Sequence, residues 1–177
     1  MKKIFMTLAA AFVAVSMNAQ VYVGGNLGFV STSYDGNSTT AFAIMPEVGY
    51  NLGEDMAVGL AFGYGEKGKD ETKVKVLTVN PYFRYNYVKL QNVKLFFDGS
   101  FDFTSTDNKA SHKVNEWGIG IKPGVSVNLN EKVGFVAHMG FLGYRNSKPD
   151  YDGAKSTSTV GLALEGSDLS FGFYYNF

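Results

Sequence analysis

The chain has 177 residues with no Cys, 21 Gly, 15 Phe, 11 Tyr and only 4 Pro, and its 16 Lys plus Arg are matched by 16 Asp plus Glu. The lack of Cys removes disulfides, thiolate metal sites and thiol chemistry, and a charge balance that turns slightly acidic once Lys2 and Lys3 are cut away argues against nucleic acid as a partner. Abundant Gly and aromatic residues suit an all-β barrel better than a helical domain.

Residues 1–19 read as a cleaved secretory signal peptide. Lys2 and Lys3 form a positive start, Ile4 to Val15 an apolar run, and Ser16-Met17-Asn18-Ala19 places a small residue before Gln20. The run falls short of the roughly 20 residues that a spanning helix needs. One domain, residues 20–177, is left.

Past the leader, apolar residues recur at every second position, the period of a strand whose faces meet different surroundings. Strand one runs about Val21 to Val30, with Val21, Val23, Leu27 and Phe29 on one face. Strand two, about Ala41 to Leu52, carries Phe42, Ile44, Pro46, Val48 and Tyr50; strand three, Met56 to Tyr64, sets Met56, Val58, Leu60, Phe62 and Tyr64 against Ala57, Gly59, Ala61 and Gly63. Strand four spans roughly Val74 to Tyr87, strand five Val93 to Phe103, strand six Val114 to Leu129 and strand seven Lys132 to Tyr144. In strand eight, Val160, Leu162 and Leu164 have the opposite parity to Leu169, Phe171, Phe173, Tyr175 and Phe177. A bulge or bend at Gly166-Ser167-Asp168 would shift the register there; a separate hairpin turning at Gly166-Ser167 is the alternative.

One phrase closes each even-numbered strand. Pro46 to Leu52, Pro81 to Tyr87 and Pro123 to Leu129 all fit Pro-x-apolar-x-apolar-Asn-apolar, and Phe171 to Phe177 repeats it with Phe for Pro. Such repetition marks a repeated hairpin. The links after the motif are short, whereas Ser31 to Thr40, Gly65 to Lys73, Thr104 to Lys113 and Arg145 to Thr157 are longer and polar, the arrangement of an outer-membrane barrel with short periplasmic turns and long external loops. At about 3.3 Å per residue and a tilt of about 40°, Trp117 to Val127 rises roughly 25 Å, the height of a lipid-facing band. The predicted fold is an eight-stranded antiparallel up-and-down transmembrane β-barrel. A soluble barrel would place its apolar side chains inside, yet here the mixed charges occupy the face that must point inward.

The inward face carries Glu47, Arg84, Lys94, Asp98, Asp102, Glu116 and Lys122, with Tyr22, Asn80, Tyr82, Phe96, His138 and Tyr174 among them. Lining up the motif copies sets Glu47 close to Lys122 and Arg84, which predicts an ion-paired structural cluster of these residues in a lumen filled by side chains. Small inward residues on strands three and six, such as Gly59 and Gly124, make room for it. Catalytic signals are thin. His112 and His138 lack local metal spacing, Ser111-His112 near Glu116 is the one Ser-His-acid set a lipid-modifying enzyme could draw on, and no nucleotide motif occurs. No catalytic, metal or cofactor site is expected.

The signal peptide, the alternating strands and the terminal run Phe171, Phe173, Tyr175, Phe177 resemble the outer membrane protein beta-barrel domain family, the small eight-stranded barrels of Gram-negative bacteria in the porin-like, opacity-type superfamily. The resemblance implies outer-membrane lipid as surroundings, with the barrel assembly machinery and periplasmic chaperones as partners during biogenesis. It also makes Phe171, Phe173, Tyr175 and Phe177 the assembly signal. The family has no shared active site. The leading functional reading is a non-enzymatic surface barrel, structural or adhesive, whose external loops meet an unknown surface ligand; a narrow conduit for small or hydrophobic solutes is the alternative, and a lipid-modifying enzyme a second one.

Overall fold

The alternating pattern is expressed as ten strands in a computed structural model that describes residues 20–34, 37–68, 73–109, 112–163 and 169–177: β1 (Val21–Tyr34), β2 (Asn37–Asn51), β3 (Met56–Lys67), β4 (Val74–Lys89), β5 (Val93–Asn108), β6 (Val114–Asn128), β7 (Val133–Met139), β8 (Phe141–Pro149), β9 (Thr157–Ala163) and β10 (Leu169–Asn176). Every pairing is antiparallel. The order β5-β4-β3-β2-β1-β10-β7-β6 returns to β5 through the β5–β6 ladder, so the sheet closes. β7 and β8 follow each other along β6, and β9 lies beside β8 and β10 beside β7, so the ten strands form the eight walls of a barrel.

Strand seven, expected to run unbroken, is interrupted at Gly140. β6 pairs Val125 with Ala137 but Ile121 with Leu142, so this wall carries one extra residue. Gly140 takes it up with φ of 76°, a left-handed conformation that favours glycine. The bulge also swaps faces: Met139 and Leu142 are exposed, while Phe141 between them is buried.

In the last wall β9 pairs with β8, and β10 with β7 on one side and β1 on the other, as a single bent wall would; β9 and β10 do not pair with each other, as a hairpin at Gly166-Ser167 would require. Gly166-Ser167-Asp168 themselves, like the leader over 1–19, Ser111 and the side chain of Phe29, lie outside the described residues.

The external ends are longer than composition suggested. The stretch read as a loop from Ser31 to Thr40 is ladder, pairing Ser31 with Thr40 and Tyr34 with Asn37; β5 and β8 likewise run on to Asn108 and Pro149. Ser, Thr and Asn lower apolar alternation without preventing cross-strand hydrogen bonds, so polarity marks where the apolar belt ends and not where pairing ends.

At the opposite end the motif has a backbone role. The N–H groups of Asn51, Asn86, Asn128 and Asn176 each donate, at 2.7 Å, to the carbonyl just before a neighbouring strand: Gln20, Asp55, Asn92 and Lys132. The repeated Asn thus closes the last rung of four strand pairs in the same way.

Outward side chains form an apolar belt. Phe42, Tyr64, Phe101, Phe103 and Trp117 are exposed toward the long ends and Tyr50, Tyr85, Tyr87 and Tyr175 toward the short ones. A continuous apolar exterior of this extent needs hydrocarbon around it. The belt has one weak line: among the described residues β1 pairs with β10 only from Tyr22 to Asn26, and above that level neither β1 nor β9 has a ladder partner on the side where they face each other.

Candidate functional site

Because side chains alternate across each wall, the motif stacks inward residues in tiers. The Asn tier lines the short-turn mouth; above it come Arg84 and Tyr174, then Glu47 and Tyr82, then Lys122, Asn80 and Ser170. Bulky residues fill the barrel where a neighbouring wall offers glycine. The Tyr82 ring lies over Gly59, Tyr22 over Gly49, Phe96 over Gly124 and Tyr174 over Gly24, each occupying the space a methyl group would take. Phe96 and Val136 are fully buried, and with Tyr22, Ala57, Tyr82 and Tyr174 they make an apolar collar.

The polar groups sit within that collar and satisfy one another. Arg84 faces Asp98 across β4 and β5 and donates from Nε and Nη2 to its two carboxylate oxygens, each at 2.7 Å. His138 Nε2 lies 2.9 Å from Asp98 Oδ2, and its Nδ1 is 3.3 Å from Ser170 Oγ. Glu47 accepts from the hydroxyls of Tyr82 and Tyr174, the latter at 2.8 Å, and Tyr22 and Tyr82 join at 2.6 Å. The guanidinium carbon of Arg84 stands 4.0 Å from the Phe96 ring centroid, a cation–π contact. Breaking one side of such a dry pair leaves an uncompensated charge, which is why the whole set is held together.

Of the expected trio Glu47, Arg84 and Lys122, the structure brings two together. Glu47 Oε1 lies 3.9 Å from Arg84 Nη2. Lys122 stands apart from them: it is opposite Asp98 in the ladder, but Asp98 already serves Arg84 and His138, so Lys122 reaches Asp102 at 2.6 Å. Asn80 and Ser100 also donate to Asp102, forming a second, less buried cluster on the external side. Sequence parity placed Asp98 and His138 inward without linking them to Arg84; the link is a matter of register, which parity does not contain.

Below the plug a cavity of about 500 Å³ opens at the short-turn end, with Arg84 and Tyr174 in its roof and the motif residues Asn51, Asn86, Asn128 and Asn176 around its wall. His112, one member of the Ser111-His112-Glu116 set, packs its ring 4.9 Å from Tyr151, and Glu116 sits on β6 opposite Thr104 and Ser147. Among the described residues there is no group of His, Cys, Asp and Glu that could hold a metal ion. Phe171, Phe173 and Tyr175 project from the outer face, and the Phe177 N–H donates to Val21 carbonyl at 3.2 Å.

Residues 4–177 match the outer membrane protein beta-barrel domain family. The chain belongs to that family. Its place is therefore the outer membrane of a Gram-negative cell, with the apolar belt in lipid. This barrel is similar in fold to Neisserial surface protein A, with 21% identity over 89% of this chain and 97% of the other and a TM-score of 0.55. It is likewise similar to the outer membrane protein OprG from Pseudomonas aeruginosa, with 16% identity over 89% and 96% of the two chains and a TM-score of 0.53. No curated protein matches it.

Proposed function

We propose that this outer-membrane barrel is a non-enzymatic surface protein, structural or adhesive, that presents its external hairpins on a scaffold whose lumen is closed by side chains. The supporting observation is the dry tier of Arg84, Asp98, Glu47, His138, Phe96 and the tyrosines across the barrel. An eight-walled barrel has room inside for side chains or one small ligand, and here side chains occupy the middle. Export by the signal peptide at 1–19, insertion by the barrel assembly machinery with periplasmic chaperones, and recognition of Phe171, Phe173, Tyr175 and Phe177 belong to the same reading.

Ser170, His138 and Asp98 do form a Ser-His-acid chain, but Ser170 and His138 are direct cross-strand partners, so register alone brings them into contact. Asp98 is shared with Arg84, and the Ser170 hydroxyl also takes the Asn26 amide at 3.4 Å. A structural role accounts for all three residues.

The test replaces the tips of the external hairpins by short turns and measures binding of intact cells to surface ligands, alongside conductance in planar bilayers. Lost binding with an unshifted barrel and no steady current supports the proposal. A stable ion current from the unaltered protein overturns the closed lumen. The weak line between β1 and β9 favours a second reading, a lateral route by which a hydrophobic solute passes between the external lumen and the membrane. It is flanked by Leu27 and Val160, which are 77% and 79% exposed. Accumulation of a hydrophobic dye in proteoliposomes without ion current is its signature.

A further inference from the structure

The motif Asn does more than close a rung. Its side chain has inward parity in all four copies, so four walls that share no sequence neighbour bring four carboxamides to one mouth. The side chains of Asn51, Asn86 and Asn128 have no hydrogen-bond partner among the described residues, and Asn176 makes one long bond, 3.4 Å, to the Lys132 carbonyl. On the same wall stands Lys94, between Lys89 and Ser126 in the ladders, with no carboxylate in ion-pair reach among the described residues. Two acids also line this vestibule: Glu54, whose side chain is 91% exposed and drawn to Lys89, and Glu131, exposed in the turn before β7.

We propose that this periplasm-facing vestibule is a binding site for the carboxylate end of a short peptide. A carboxamide offers two N–H donors and a C=O acceptor, groups that complement those of a peptide unit, and a ring of them can follow an amide backbone. The Lys94 ammonium, with no carboxylate in ion-pair reach among the described residues, can supply a charge-assisted bond to a terminal carboxylate. The volume of about 500 Å³ lies within the range of small-ligand sites and fits two or three residues. Because Arg84 in the roof is already held by Asp98, Lys94 is the cation left for the ligand.

The experiment titrates the mature protein, folded in detergent micelles, with acetyl-Ala-Ala-Ala bearing a free carboxylate, with its C-terminal amide, and with N-acetylglucosamine, observing the Asn side-chain amides by NMR. The free-carboxylate peptide is expected to shift the amides of the vestibule. Amidating the peptide, or changing Lys94→Gln, weakens binding roughly tenfold, the scale of one charge-assisted bond. Equal binding of both peptides, binding of the sugar alone, an unchanged affinity in Lys94→Gln, or no shifts at all overturns the proposal. Heat-modifiable migration on a gel establishes that the variant folds; if it does not, Lys94→Arg, which keeps the charge, must bind as the parent does.

Discussion

Arg84 and Asp98 occupy one rung of the β4–β5 ladder, and their two hydrogen bonds of 2.7 Å lie inside a collar of aromatic rings. Removing either partner leaves a buried charge, so Asp98→Leu or Arg84→Leu is expected to cost about 3–5 kcal/mol, whereas the double change to Leu recovers much of the loss. Urea unfolding of the four proteins in micelles measures this. If the double variant is as unstable as the two single losses added together, the pair is not the unit described.

The plug is also a packing problem. Gly124 receives the Phe96 ring, and a side chain there collides with an aromatic that is wholly buried. Gly124→Val is expected to destabilise the barrel by about 1–3 kcal/mol through overpacking. Phe96→Ala acts in the opposite direction, opening space beside Arg84, and should turn a silent barrel into one with measurable bilayer conductance. A silent Phe96→Ala barrel would mean that the tyrosine and ion-pair tiers close the lumen without it.

Outside the belt, pH acts on the β3–β4 hairpin. Glu66 lies beyond Tyr64 at the long end, where Lys73 at 2.6 Å and then the Tyr64 hydroxyl hold its carboxyl below the usual range. A depressed carboxyl stabilises the hairpin at pH above its unfolded value, about 4.3, and that contribution disappears as pH falls through the lower, folded value. Hydrogen-exchange protection at Glu66 and Lys67 should therefore fall selectively in acid, and Lys73→Gln should weaken that pH dependence, leaving the part due to the Tyr64 hydroxyl.

Much of this arrangement was legible in the alternation of residues. Glu47, Arg84, Asp98 and His138 share inward parity, and Tyr82 over Gly59 follows from a large inward residue facing a small one. The partners were not legible, because bulges are local and leave no periodic trace. Counting rungs back from the turn after Lys89 puts Arg84 opposite Gly99, and only the irregularity between Asn86 and Val88 moves it to Asp98. Gly140 hides a second shift inside a strand that otherwise reads as continuous.

At the terminal aromatics, folding and assembly can be tested apart. In the folded barrel Phe177 contributes one backbone bond to Val21 and an edge contact with Tyr175, ring centroids 5.1 Å apart, at the very end of the wall. Deleting Phe177 should leave refolding in micelles within a few tenths of its normal free energy, as for other terminal positions with few contacts. In cells the same deletion should sharply reduce the heat-modifiable form in outer membranes. Equal loss in both settings would make Phe177 a stability residue.

The bond from each motif Asn to the residue before a neighbouring strand makes four hairpins interchangeable at their base. Whatever happens to the far end of a hairpin, its anchoring is the same, so segments above the belt are free to lengthen, shorten or be exchanged while the foundation keeps its register. A lineage pressed to change the face it shows outside the cell could do so by altering one hairpin tip at a time, without renegotiating the closure of the ring.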